Sequence, residues 1–113
     1  MAPGEIYLAK FPYGDAPGMK LRPVLLLTGP IGAIPEVLVA YISSVIPDQV
    51  LPSDLLLDPQ LRQFSSTNLK VASALRLHKL ATIHCTSLVR FLGRLAPDAQ
   101  RLVSGKLSDL LKM

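Results

Sequence analysis

Two short stretches of this sequence could handle a phosphate ester. One is Lys20-Leu21-Arg22-Pro23, set directly against the apolar run Val24 to Thr28; the other is the hydroxyl pair Ser43-Ser44. A guanidinium fork can hold two phosphate oxygens with a fixed charge, and a hydroxyl both donates and accepts. Proline holds the residue before it in extended geometry and has no N–H for a ladder, so it is tolerated at the start of a strand but not inside a central one. Arg22 is therefore expected at the rim of a sheet, where its side chain reaches solvent or a ligand. On residue types alone, a solvated edge arginine and two strand-ending serines remain the simpler reading.

Other polar residues add to the inventory. Arg76 and Lys79 flank a strand-like segment in which a buried charge would be costly, so at least one must face solvent or phosphate. His78 and His84 belong to the residue type that titrates near neutrality. They lie six apart and share no ligand spacing with Cys85, so no metal site is expected. Tyr7, Phe11 and Tyr13 offer rings for base stacking; Phe11 is assigned to the core and Tyr13, in a loop, is the better stacking candidate. No phosphate-binding glycine loop, nucleotide fold, helix-turn-helix or paired-carboxylate pattern is present.

The elements that must carry these residues are short. Glu5 to Phe11 reads as a first strand with apolar residues on both faces, followed by a loop with Pro12, Gly14, Asp15, Pro17 and Gly18 that could act as a lid. Val24 to Thr28 is a buried second strand, and Val37 to Ile42 a third that closes on Ser43 and Ser44. If these two pair antiparallel, Arg22 and Ser43 share one rim. Leu55 to Leu57 is a short strand bounded by Asp54 and Asp58, and residues 59–68 read as polar and irregular. Leu69 to Leu77 with Lys79 to Ile83 makes one bent strand or two short ones. Thr86 is expected to cap a helical turn over Ser87 to Val89, and Arg90 to Leu95 a last strand with Gly93 at a close approach. Pro97 opens a helix with Asp98 in its first turn, and Ala99, Leu102, Val103, Leu107, Leu110 and Leu111 line its buried face. About five to seven short strands and one final helix predict a mainly β protein, a small antiparallel barrel with a C-terminal helix.

The totals narrow the classes. The chain has 113 residues, half of them apolar and 18% charged, which fits one folded domain spanning 1–113 and not a disordered chain. The net charge of +4 is spread without a polybasic run, so any cationic patch must be assembled by the fold. A single cysteine excludes a disulfide framework and points to an intracellular setting, with Cys85 itself a small buried apolar residue. No leader is apparent, and the apolar stretches break well before the roughly 18 residues of a membrane span. A leucine-rich surface leaves room for a second copy of the chain.

The residues in view carry a resemblance. Gly4-Glu5-Ile6-Tyr7-Leu8, Phe11-Pro12, Gly18 and Lys20 to Leu27 resemble the opening of the PemK/MazF family of type II toxins. Val39 to Ser44, Asn68 to Ser73, Arg76 to Ile83 and Leu92 to Leu95 continue the match in family order and spacing. The resemblance implies an SH3-like barrel that forms homodimers, sits in the cytoplasm, needs no cofactor, and cuts single-stranded RNA without a metal. It also implies a cognate antitoxin whose C-terminal segment covers the RNA-binding region. The family's catalytic arginine, before the proline, falls on Arg22, and its catalytic threonine on Ser43, followed by Ser44. Ser44, Lys20, Tyr13, Arg76, Lys79 and His78 are the expected substrate-binding residues. Serine keeps the hydroxyl of threonine but loses the methyl that restricts its rotamers. A second reading therefore stands beside the first: a weak or inactive member that binds RNA or antitoxin.

Overall fold

The computed structural model describes residues 1–11 and 20–113, with the backbone alone at Phe11. The loop read as a lid, and Tyr13 within it, lie outside the described residues. Among the described residues there are six strands and one α-helix. They are β1 (Glu5–Phe11), β2 (Lys20–Leu26), β3 (Glu36–Ser43), β4 (Asp54–Leu57), β5 (Ser73–His84), β6 (Leu88–Arg94) and α1 (Pro97–Leu111). The strands form one antiparallel sheet in the order β4-β5-β3-β2-β1-β6. The expected class is present, mainly antiparallel β with a C-terminal helix. The sheet does not close, however, and leaves β4 and β6 as its edges.

Alternation along the central strands explains why both faces bury apolar side chains. Ile6, Leu25, Ala40, Ile42, Leu75 and Leu77 point to one side, where Phe64, Leu95, Ala99 and Val103 complete the core. Ala9, Val24, Leu26, Val37, Val39 and Tyr41 point to the other, joined by Cys85. Each fully buried Leu or Ile contributes about 1.5–3 kcal/mol. The runs in β2 and β3 are continuous because each alternate residue feeds a different cluster.

β5 is one strand whose ladder to β3 shifts register. Ala40 pairs with Leu80, but the next residue, Tyr41, pairs with Arg76, so Leu77, His78 and Lys79 bulge from the ladder. Such an insertion bends the strand and re-aims its side chains.

The edge at β6 is covered. Residues 59–68 are not simply irregular: Arg62–Thr67 form a 3₁₀ helix that buries Phe64 and Thr67. The Ser66 hydroxyl donates to the Arg94 carbonyl at 2.7 Å and the Asn68 side-chain amide to the Leu92 carbonyl at 2.7 Å. Asn68 takes a left-handed conformation at φ 55° to end the turn. Gly93 permits this approach, because a Cβ there would stand 2.3 Å from the Ser66 carbonyl oxygen. The close approach expected at Gly93 is thus present.

Two local expectations are corrected. The turn before β6 is a 3₁₀ helix over Cys85–Ser87, with no side-chain cap and Thr86 inside it, because Leu88 and Val89 are drawn into β6. In α1, Pro97 occupies the first turn with Asp98, as expected. Of its expected buried face only Ala99 and Val103 are buried and Leu107 partly so, whereas Leu102, Leu110 and Leu111 are exposed. Residues spaced by four form a stripe too narrow to include Leu102. No described helix is long and apolar enough to cross a membrane.

Candidate active site

Arg22 is the third residue of β2 and pairs with Ala9 of β1. On its other side the ladder sets Val24 across from Tyr41. Continued by two residues, that register sets Arg22 across from Ser43, the last residue of β3. By alternation Arg22, Val24, Tyr41 and Ser43 share one face. The β2–β3 ladder itself stops at Val24 and Tyr41, so no pairing joins Arg22 to Ser43; alternation alone puts the two at the same end of the sheet. β5 extends the same face, with Ala74 across from Ser43 and Arg76 across from Tyr41.

Tyr41 is the hub of this end of the sheet, although its side chain is only 8% exposed. Arg22 Nη1 donates to its hydroxyl at 3.2 Å, and the Arg22 guanidinium carbon lies 5.7 Å from the ring centroid. The Lys79 ammonium lies 5.7 Å from the same centroid. Each contact of this kind is worth about 0.5–2 kcal/mol, more as water is excluded. Lys79 arrives there because the β5 bulge displaces it from the ladder. Sequence reasoning misses Tyr41, yet a signal for it exists: it stands two residues before Ser43 and so shares its face.

Arg76 is held from behind. Its Nε donates to Asp54 Oδ1 at 2.7 Å, and Asp54 Oδ2 accepts the Leu51 backbone N–H at 2.9 Å. The Asp54 side chain is fully buried. His78, more exposed, sets Nδ1 3.9 Å from the same Oδ1. In the sequence Asp54 reads only as the boundary of a strand; nothing there marks its partner across the ladder. Arg22 and Lys79 therefore converge on one ring, with Arg76 beside it on the next strand. A convergence of like charges at a rim favours an anion there.

The remaining expected residues divide. Lys20 begins β2, exposed, and shares the Arg22 face by alternation. The Ser43 hydroxyl is within 3.1 Å of both the backbone N–H and the carbonyl of Val45, closing a local turn. Ser44 is not brought to Arg22: it lines a cleft of about 390 Å³ with Leu8, Pro23, Lys70 and Arg90. Leu8 and Pro23 alternate away from Arg22, so that cleft opens on the other side of the sheet. His84 pairs with Glu36 at the far end of the β3–β5 ladder. Tyr7 meets Phe91 edge-on, centroids 5.5 Å apart, and burial pushes its phenol pKa up, with the Glu5 carboxylate adding to the rise. Among the described residues no three His, Cys, Asp or Glu side chains gather as a metal site would need.

The fold and the sequence both have relatives. The Mycobacterium tuberculosis toxin MazF-mt6 superposes with a TM-score of 0.73 at 21% identity, over 96% of this chain and 97% of that one. An endoribonuclease from a mycobacterial species, solved in complex with its cognate antitoxin, matches at TM-score 0.68 and 14% identity, over 100% and 96% of the two chains. MazF from Deinococcus radiodurans gives 0.66 at 18% identity, over 99% and 96%. At these identities the likeness establishes the fold. Among curated proteins no sequence match is found. The family model for the PemK-like, MazF-like toxin of type II toxin–antitoxin systems matches residues 2–111. Over nearly its whole length, then, the chain belongs to the PemK-like, MazF-like toxin family of type II toxin–antitoxin systems.

Proposed function

We propose that this toxin is a metal-independent endoribonuclease that cleaves single-stranded RNA. The observation that carries the reading is the gathering of Arg22, Lys79 and Arg76 around Tyr41 at the rim where β3 ends in Ser43. In the reaction the ribose 2′-oxygen attacks phosphorus as its proton leaves. The bond to the 5′-oxygen breaks and that oxygen gains a proton, giving a 2′,3′-cyclic phosphate and a 5′-hydroxyl. Arg22 binds the non-bridging oxygens and opposes the charge that builds on them, its orientation set by Tyr41. Lys79, Arg76, Lys20 and His78 serve neighbouring phosphates, with Ser43 orienting the strand by hydrogen bonds and Tyr13 stacking on a base. The protein works in the cytoplasm as a homodimer and is restrained by a cognate antitoxin.

The experiment is to induce the protein in cells and map cuts in total RNA by primer extension. Breaks recurring at one short sequence are expected. Growth arrest with intact RNA would contradict the reading and direct attention to another target, such as gyrase.

Tyr41→Phe keeps the ring and removes the hydroxyl that accepts from Arg22. Losing one hydrogen bond of about 0.5–1.5 kcal/mol predicts a roughly two- to tenfold slower cleavage with the fold retained. An unchanged rate in single-turnover assays would remove Tyr41 from the mechanism. Ser43 supports the alternative of a weak member, because its hydroxyl is engaged by Val45. Ser43→Thr restricts the rotamer, and a several-fold faster cleavage is expected if loose geometry limits the rate. Equal rates for the serine and threonine proteins would set the alternative aside.

A further inference from the structure

We infer that Asp54 is a positioning residue for substrate, acting through Arg76; the inference rests on the ribonuclease reading. Asp54 opens β4 directly across from Arg76, and Arg76 lies across from Tyr41 on its other side. Its carboxylate is fully buried, an unusual place for a charge unless its lone pairs are used. One oxygen takes the Arg76 Nε–H at 2.7 Å and the other the Leu51 N–H at 2.9 Å. The loop before β4 is closed over it by the Leu51 carbonyl, which accepts the Asp54 N–H at 2.9 Å.

Using Nε is what gives this contact a consequence. A guanidinium gripped there keeps its two terminal nitrogens for another partner. Among the described residues none accepts from them, and no buried side-chain nitrogen or oxygen lacks a partner, so they reach the surface. Arg76 shares its face of the sheet with Tyr41 and Arg22, and Lys79 reaches that face over the ring. Asp54 fixes the direction of one cation and lessens the mutual repulsion of the group, while its burial keeps it out of reach of an anionic strand. His78 Nδ1 lies 3.9 Å from the same oxygen.

The test is a double-mutant cycle. Asp54→Asn preserves shape, but an amide can accept on one side only, so it cannot serve both Arg76 and Leu51. Cleavage of a subsaturating single-stranded RNA, which reads kcat/KM, is expected to fall roughly tenfold to a hundredfold, mostly through KM, the cost of a misaligned phosphate-binding group. In an Arg76→Ala background the same change should cost nothing further, a result a purely structural role would not give. Should Asp54→Asn fail to fold, Arg76→Lys keeps the charge, loses the fork, and should show a comparable loss. Wild-type activity with additive losses in the cycle, or full activity in the lysine variant, overturns this inference alone. A wild-type protein that leaves RNA intact overturns the ribonuclease reading and this inference with it.

Discussion

Replacing Arg22 with alanine is expected to slow RNA cleavage by about a hundredfold to a thousandfold, the usual cost of removing one preorganised donor to a transition-state oxyanion. The side chain sits at the rim, half-buried, and the core residues Val24, Leu25 and Leu26 follow it in the strand. Its loss leaves the core in place but removes the hydrogen bond and ring contact to Tyr41, so the fold is retained with Tm lower by roughly 5 °C. Lys79 and Arg76 remain in the variant, so substrate affinity should fall much less than the rate. Single-turnover cleavage against RNA concentration separates the two. A variant that cuts within about threefold of wild type would mean that Arg22 only decorates the edge.

Gly93→Ala should produce the largest loss of stability. The new Cβ would stand 2.3 Å from the Ser66 carbonyl oxygen and 2.7 Å from the Thr67 carbonyl carbon and oxygen, all backbone atoms in a bonded 3₁₀ segment. Relief requires the segment to move away from β6, breaking the Ser66–Arg94 and Asn68–Leu92 hydrogen bonds. Overpacking and the lost bonds together predict about 3 kcal/mol, or roughly 10 °C in Tm for a chain of this size. Gly105→Ala is the control of opposite sign. No atom lies within 4 Å of the position its Cβ would take on the exposed side of α1, so replacing a mid-helix glycine should stabilise by about 0.5–1 kcal/mol. Calorimetry of the two variants decides; a Gly93→Ala protein as stable as wild type would contradict the packing at β6.

Much of the site is legible in the sequence because it depends on strand pairing. Antiparallel pairing of β2 with β3 sets Arg22 and Ser43 at one end of the sheet. Pro23, however, does not open β2, which starts three residues earlier at Lys20 and ends at Leu26, not over Val24 to Thr28 as expected. It is tolerated inside the strand because only β1 pairs with it there, the ladder to β3 beginning at Val24. Period-two alternation from Ser43 also leads to Tyr41. Asp54 is hidden because a carboxylate next to a short apolar run reads as a solvated boundary, and its partner Arg76 is 22 residues away across a ladder. Lys79 is recognisable by type, but its place above Tyr41 comes from the bulge in β5, which no local pattern announces. In α1 the apolar pattern is wider than the buried stripe, so Leu102, Leu110 and Leu111 read as members of a core they do not reach. Polar composition around Phe64 hides a 3₁₀ helix whose task is to plug the core and cover an edge.

The central claim, that this arrangement cuts RNA without a metal, is tested most directly with the purified protein, a long single-stranded RNA and excess EDTA, followed by analysis of the new ends. Discrete cuts bearing 2′,3′-cyclic phosphate and 5′-hydroxyl termini are predicted. Intact RNA in EDTA with cleavage restored by a divalent cation, or cuts leaving 5′-phosphates, would contradict it.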